Sequence, residues 1–351
     1  MGITSWFNYQ PNELDKLIEL TIKDVKNWRV AVLYGPTSEE DKLYMTNKPR
    51  ADWSVYDVLN GLWKLGIDAV WLDPTQSDFF ERVREFDAAF INVHGEFGED
   101  GNLQGLLAYL GVPYTGSGVS SSAIAADKRL TKLVLAESEV QIPDYQRILI
   151  SEQNSLPEIE IPFILKAVNG GSSVGMELIT DTNEFSDAIN RLKNGGFVDL
   201  ISESFIEGMA ITVPAIRIKS EIVLLPPIAC ITDNAYYDKD SKLFGDQNDL
   251  VEYQIMTDLT DKRIYQLHDE VKKILETLDF DGSLRADFII GEKGELAFLE
   301  INTIPGVQHG SNLVLSAEAA KIDYSSLLGV ILASAKNTDK LAKWTLKELV
   351  K

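Results

Sequence analysis

Three short apolar runs, RVAVLY at 29–34, AVWL at 69–72 and AAFINV at 88–93, are separated by segments with helical spacing of apolar residues. Near-continuous apolar strands alternating with helices bury both faces of a sheet, which is the pattern of parallel βαβ units. The first hundred residues are thereby confined to an α/β layer. A helix over 11–28, with Leu14, Leu17, Ile18, Leu20, Ile22 and Val25 as apolar positions and Pro11 near its start, precedes the first strand. Another is expected over 55–65. The polar stretch 39–54 interrupts the first crossover and reads as a long loop of the kind that carries function.

Beyond Ser122 a helix is expected to run through Lys128 and Lys132, and strands at 163–166 and 177–179 flank a Gly-Gly-Ser-Ser turn in a small α+β unit. From about Asp199 the chain is strand-rich, at 200–206, 211–218 and 222–225. A helix at 262–278, two further strands and a helical tail complete it.

Those two strands carry the densest chemistry. In Leu284-Arg285-Ala286-Asp287-Phe288, alternation puts Arg285 and Asp287 on one face; in Leu299-Glu300-Ile301-Asn302 it pairs Glu300 with Asn302. The turn Gly291-Glu292-Lys293-Gly294 folds the runs into a hairpin and sets the faces side by side. Two carboxylates and an amide oxygen, without thiolate or imidazole, suit Mg²⁺ held by few protein ligands and completed by phosphate oxygens, so a nucleoside triphosphate is the expected third party. An isolated carboxylate pair on a strand is more often solvated. Here the flanking residues are apolar, and charge on an inner face is costly without a cation.

At 351 residues and 45% hydrophobic, the chain can bury a large core and divide into two or three domains. Lys+Arg 33 against Asp+Glu 54 gives a formal charge of −21, which disfavours nucleic-acid backbones and anionic membranes. The single Cys230 rules out an intramolecular disulfide, and His94, His268 and His309 are too scattered in sequence to spell a zinc site. The start lacks the basic and apolar regions of a signal peptide, and no run approaches the ~20 apolar residues that cross a bilayer. A cytoplasmic protein is expected.

Three glycine-rich segments differ in what they support. Lys166-Ala167-Val168-Asn169-Gly170-Gly171-Ser172-Ser173-Val174-Gly175 sets a strand lysine before a turn whose N–H groups and hydroxyls could close on phosphate, or it is a plain hairpin loop. It is not a Walker A loop, since the chain has no Gly-Lys dipeptide. Gly116-Ser117-Gly118 lacks the third glycine and the distal acid of a dinucleotide fingerprint. His94-Gly95-Glu96-Phe97-Gly98-Glu99-Asp100-Gly101 follows a strand at the edge where open α/β sheets bind ligands, and Lys242 falls in a polar loop.

In this order, the segments resemble the D-alanine:D-alanine ligase family of the ATP-grasp superfamily, over about 29–335. Three stretches carry the likeness: HGEFGEDGNLQGLLAYLGVPYTGSGVSSSAIAADKRLTK at 94–132, PFILKAVNGGSSVG at 162–175, and LEINTIPG with the downstream Gly310-Ser311. The resemblance implies an α/β fold with an N-terminal parallel α/β substrate domain (1–122), a central ATP-grasp subdomain (123–206) and a C-terminal antiparallel-sheet subdomain bearing the metal (207–351). It also implies a homodimer, small amino-acid substrates, and ATP with Mg²⁺ or Mn²⁺. By position it assigns Asp287, Glu300 and Asn302 to the metal, Lys128, Lys166, Lys242 and Ser173 to ATP phosphates, and Glu203, Ser204 and Ile206 to the adenine hinge. Arg285 and the Gly306 N–H match the oxyanion-stabilising pair, Ser311 the holder of the second substrate's carboxylate, and Ser172 and Glu40 first-substrate positions. His94 joins the catalytic set, and 237–245 is the candidate lid.

Where the family carries a Gly-Gly-x-Ser-x-Glu-Arg-Glu-Val-Ser run, this chain reads Gly35-Pro36-Thr37-Ser38-Glu39-Glu40-Asp41-Lys42. Leu243 stands where a tyrosine commonly follows the lid lysine, Ala210 where a ribose-binding glutamate is expected, and the helix before Arg29 has no counterpart. The expected activity is ATP-dependent carboxylate–amine ligation through an acyl phosphate, with altered substrate choice. An authentic D-alanine:D-alanine ligase of cell-wall synthesis and a nucleotide-binding pseudoenzyme are the alternatives.

Overall fold

The computed structural model describes residues 2–150, 155–169, 175–232 and 251–335. Three sheets organise them. Strands β2 (Arg29–Leu33), β3 (Asp68–Leu72) and β4 (Ala88–Ile91) form a parallel sheet in the order β3-β2-β4, as their apolar runs require. Helix α1 (Glu13–Lys23) precedes it, burying Leu14, Ile18 and Ile22, which recur every four residues along one face.

The second sheet is antiparallel, in the order β5-β8-β6-β7, from β5 (Tyr145–Leu149), β6 (Phe163–Ala167), β7 (Met176–Ile179) and β8 (Asp199–Ser204). Its apolar side has its own core, in which Phe163 and Leu165 pack with Phe185 and Leu192 of helix α8 (Phe185–Asn194).

The third sheet centres on the long strand β9 (Gly208–Ile218), flanked on one side by β13 (Ser283–Gly291) and then β14 (Leu296–Asn302). Its other side is shared by β10 (Glu221–Leu224), which pairs residues 215–218, and β11 (Ile228–Thr232), which pairs residues 210–212 and carries β12 (Val251–Ile255) outward. Pro214 falls between those two pairings, where its missing N–H costs no ladder bond. Helix α9 (Lys262–Thr277) packs on this sheet through Ile264, Leu267, Val271 and Ile274.

Several expectations change. Residues 39–54 are not a loop: they form helix α2 (Glu39–Asn47) and a short 3₁₀ turn (Arg50–Asp52) before helix α3 (Ser54–Lys64). Ser38 and Asp41 cap α2 reciprocally, Ser38 N–H donating to Asp41 Oδ2 and Asp41 N–H to Ser38 Oγ, both at 3.0 Å. The single helix expected through Lys128 is two, α6 (Val119–Ala126) and α7 (Lys128–Leu135), broken at Asp127, which leaves helical geometry and accepts from Leu130 N–H at 2.7 Å. Strand β5 was not foreseen. Neither was β1 (Gly2–Ser5), which pairs in parallel with β10 and so adds the chain's first residues to the edge of the third sheet.

Candidate functional site

The expected hairpin β13–β14 forms, and its register sets Arg285 opposite Asn302 and Asp287 opposite Glu300. One step further on the pairing shifts, so that Phe288 faces Phe298 and Leu299 is the extra residue of a bulge. The extra residue reverses the alternation. Phe298 and Ile301 both enter the core while Glu300 and Asn302 stay on the other, half-buried face.

On that face the charges are paired. Arg285 Nε and Nη2 donate to the two oxygens of Asp287, each at 2.8 Å, and Thr212 Oγ1 donates to Asp287 Oδ1 at 2.7 Å. Burial works against the Arg285 charge, but Asp287 and then Glu300 outweigh it and hold the guanidinium protonated beyond its usual range. Lys128, at the first position of α7, puts Nζ 3.4 Å from Glu300 Oε2. Its backbone N–H donates to Val168 O at 3.1 Å, which ties α7 to the end of β6.

Asn302 Oδ1 accepts from Ile304 N–H at 2.8 Å, which fixes the orientation of the amide. Among the described residues no group of three His, Cys, Asp or Glu side chains is placed to hold a metal ion. The set present, two carboxylates and one oriented amide oxygen, fits a hard cation that takes its other ligands from phosphate, and cations already stand against both carboxylates.

A second cluster lies where α7 meets the four-stranded sheet. Lys166 on β6 donates from Nζ to Glu203 Oε1 at 2.8 Å, and Lys132 Nζ stands 2.6 Å from Oε2, off the line of a hydrogen bond. Burial alone would raise the Glu203 carboxyl; Lys166 and Lys132 outweigh it and hold it low. Burial in turn lowers Lys132 to about 8. Ser204 ends β8, and Ile206 lies in the short link from there to β9, the crossing between two sheets.

The loop after β14 brings in the rest. His94 Nδ1 is 3.1 Å from Ile304 O and 3.4 Å from Glu99 Oε1, while its Nε2 is buried without a hydrogen-bond partner. Ser311 donates to Gly306 O at 2.7 Å and starts helix α10 (Asn312–Ala319), so the hydroxyl and the Gly306 backbone are held together. The structure thus gathers Asp287, Glu300, Asn302, Arg285 and Lys128 at one hairpin, Lys166 and Glu203 at a second cluster, and His94, Gly306 and Ser311 around one loop. Ser172, Ser173, Lys242, Leu243 and the candidate lid lie outside the described residues, and Glu40 is placed only as part of α2. Sequence reasoning left Lys132 without a role. Its one signal was spacing, four residues after Lys128 on the same helical face.

A protein-family model described as D-ala D-ala ligase C-terminus matches residues 135–333, and one described as D-ala D-ala ligase N-terminus matches 45–117. The D-alanine–D-alanine ligase of Buchnera aphidicola is 34% identical over 318 residues, spanning 87% of this chain and 98% of that protein. The chain belongs to the D-alanine–D-alanine ligase family. The Pseudomonas fluorescens ligase is likewise 34% identical, over 89% of this chain and 92% of its own length. Among solved structures, the Bacillus anthracis D-alanine–D-alanine ligase complexed with ATP aligns at TM-score 0.74 and 23% identity, covering 89% of this chain and 99% of that one. The VanG D-Ala:D-Ser ligase of Enterococcus faecalis aligns at 0.69 and 20% identity, over 88% and 99%. The fold is ATP-grasp, and the protein is an ATP-dependent ligase. No helix among the described residues is long and apolar enough to cross a membrane.

Proposed function

We propose that this D-alanine–D-alanine ligase family member joins two amino acids through an acyl phosphate. A carboxylate oxygen of the first substrate attacks the γ-phosphorus of ATP and ADP leaves; the amine of the second attacks the acyl carbon, the bond to phosphate breaks, and a proton is lost as the amide forms. The observation that supports this most is the hairpin register, which sets Arg285 beside Asn302 and Asp287 beside Glu300, with Lys128 brought to Glu300 by α7.

In this reading Asp287, Glu300 and Asn302 hold Mg²⁺, or Mn²⁺ in its place. The bound cation supplies charge neutralisation on the phosphate oxygens. Lys128, Lys166 and Lys242 bind the phosphates with Ser173, and Glu203, Ser204 and Ile206 border the base. Arg285, paired with Asp287 yet part-exposed, faces the developing oxyanion with the Gly306 N–H. His94 orients the loop by its bond to Ile304 O, and Ser311 receives the second substrate's carboxylate. Ser172 and Glu40 serve the first substrate. The enzyme works in the cytoplasm as a homodimer, which sedimentation would test.

A second reading concerns which amino acids are joined. The N-terminal family match begins at residue 45, leaving β2 and the capped turn into α2 outside it, and Leu243 offers no hydroxyl. A site built around a polar contact rejects ligands that cannot complete it, whereas an apolar side chain adds only ~1 to 3 kcal/mol for a larger group. At least one substrate is therefore an amino acid or amine other than D-alanine. ADP and phosphate release across a panel of D- and L-amino acids tests both readings. No turnover with any pair removes ligation; D-alanine alone giving the highest kcat/KM removes the altered choice and leaves a divergent D-alanine–D-alanine ligase.

A further inference from the structure

The cluster around Glu203 holds one cation more than its carboxylate needs. Lys166 alone would balance Glu203, yet Lys132 is present with its side chain wholly buried, 0% exposed, where an unneeded charge is costly. The two ammonium groups divide the carboxylate, Lys132 at Oε2 and Lys166 at Oε1, and the trio carries a net positive charge. With Lys132 removed, Lys166 would be free to close on both oxygens and turn its protons toward β8. With Lys132 in place, Lys166 is held by one oxygen and, at 12% exposure, keeps donors for an incoming anion.

Helix α7 gives the arrangement its reach. Lys128 and Lys132 lie on one face of it, the first 3.4 Å from Glu300 on the hairpin and the second on Glu203, and the Asp127 cap fixes where that face begins. One rigid element therefore indexes both charged clusters.

We propose that Lys132 is a positioning residue for the nucleotide, acting through Glu203 to set where Lys166 presents its ammonium to the phosphates. This rests on the reading of Lys166 as a phosphate ligand. The test compares Lys132→Met, Lys166→Met and the double variant, using calorimetric binding of Mg²⁺–ADP, KM for ATP, KM for the amino substrates and thermal melting. Lys132→Met is expected to weaken ADP binding and raise the ATP KM by ~10-fold or more, the scale of one charge-assisted contact, with amino-substrate KM values within about twofold of wild type. In the Lys166→Met background it should add little, because its effect runs through Lys166.

A lower melting temperature with unmoved ADP affinity would make Lys132 merely structural and overturn the proposal, as would losses in the two single variants that multiply in full. Should Lys132→Met not fold, the pair Lys132→Met with Glu203→Gln removes the buried carboxylate charge as well. That pair is expected to fold and bind ADP weakly, and wild-type affinity in it would equally overturn the role. Wild-type ADP binding by Lys166→Met would instead bring down the underlying reading of Lys166.

Discussion

Ser5 Oγ lies 2.7 Å from His268 Nδ1, a buried contact between residues 263 positions apart. His268 Nε2 is 3.1 Å from the Leu225 carbonyl, so the Nε2 proton is donated there and Nδ1 accepts from the serine. Trp6 meets the ring edge-on at 5.3 Å and Phe7 stacks at 5.9 Å, which closes the imidazole off from water. Both nitrogens are thus satisfied in the neutral form, and the first strand is fastened to α9 and to the end of β10.

Burial lowers His268 to about 4, from an unfolded value near 6.5. Between these values the unfolded chain binds the proton and the folded chain does not, so stability is complete above pH 6.5 and falls as pH drops toward 4, by up to about 3 kcal/mol. Urea midpoints over that range should fall more steeply in the wild type than in His268→Gln. Equal slopes would show that the imidazole stays neutral for no energetic reason of its own.

Asp287→Asn and Glu300→Gln should each lower turnover ~10²-fold or more at saturating Mg²⁺, since in the proposed reading either removes a negative ligand from the hard-oxygen set. Asp287→Asn also leaves Arg285 without its bidentate partner and should lower the melting temperature, whereas Glu300→Gln should not. Near-wild-type turnover in both variants would end the metal assignment.

Gly282 has φ +72°, and a Cβ there would sit 2.7 Å from the Gly116 backbone; Gly294 has φ +82° with nothing within 4 Å. Gly294→Ala should therefore cost only the left-handed strain of ~1 kcal/mol, and Gly282→Ala clearly more, because backbone of the parallel α/β layer must move. Denaturant unfolding of the two variants measures the difference, and equal costs would remove the close approach as a cause.

Ser38→Ala should cost α2 about 1 kcal/mol through loss of the cap, and, if α2 borders the first substrate, raise that substrate's KM without moving the ATP KM. A change in stability alone would detach α2 from the site.

The parallel layer was legible because its strands are apolar on both faces, and the hairpin because Arg285, Asp287, Glu300 and Asn302 alternate. The bulge was not: strict alternation puts Phe298 with Glu300 and Asn302, and only pairing with β13 shows that Leu299 reverses the faces. Helix α2 hid because EEDKLYMTN has no apolar stripe, leaving the Ser38–Asp41 capping pair as its single mark. Lys132 hid because lysine is almost always a surface residue, and its burial is decided by Glu203, 71 positions further on in β8. Strand β1, four residues with one buried, carries no periodic signal at all.

That strand sets an order of events. Tyr9 donates to Glu221 at 2.7 Å across a sequence separation of 212, and among the described residues β1 pairs with no strand but β10. At ribosomal rates of roughly 5–20 residues per second, the partner emerges about 10 to 40 s after the strand that needs it. Throughout that interval Ile3, Trp6 and Phe7 have no core to enter, and the parallel layer can close without them. Seating of the first strand therefore waits on β10, two hundred residues downstream, and when it comes it completes one edge of the third sheet.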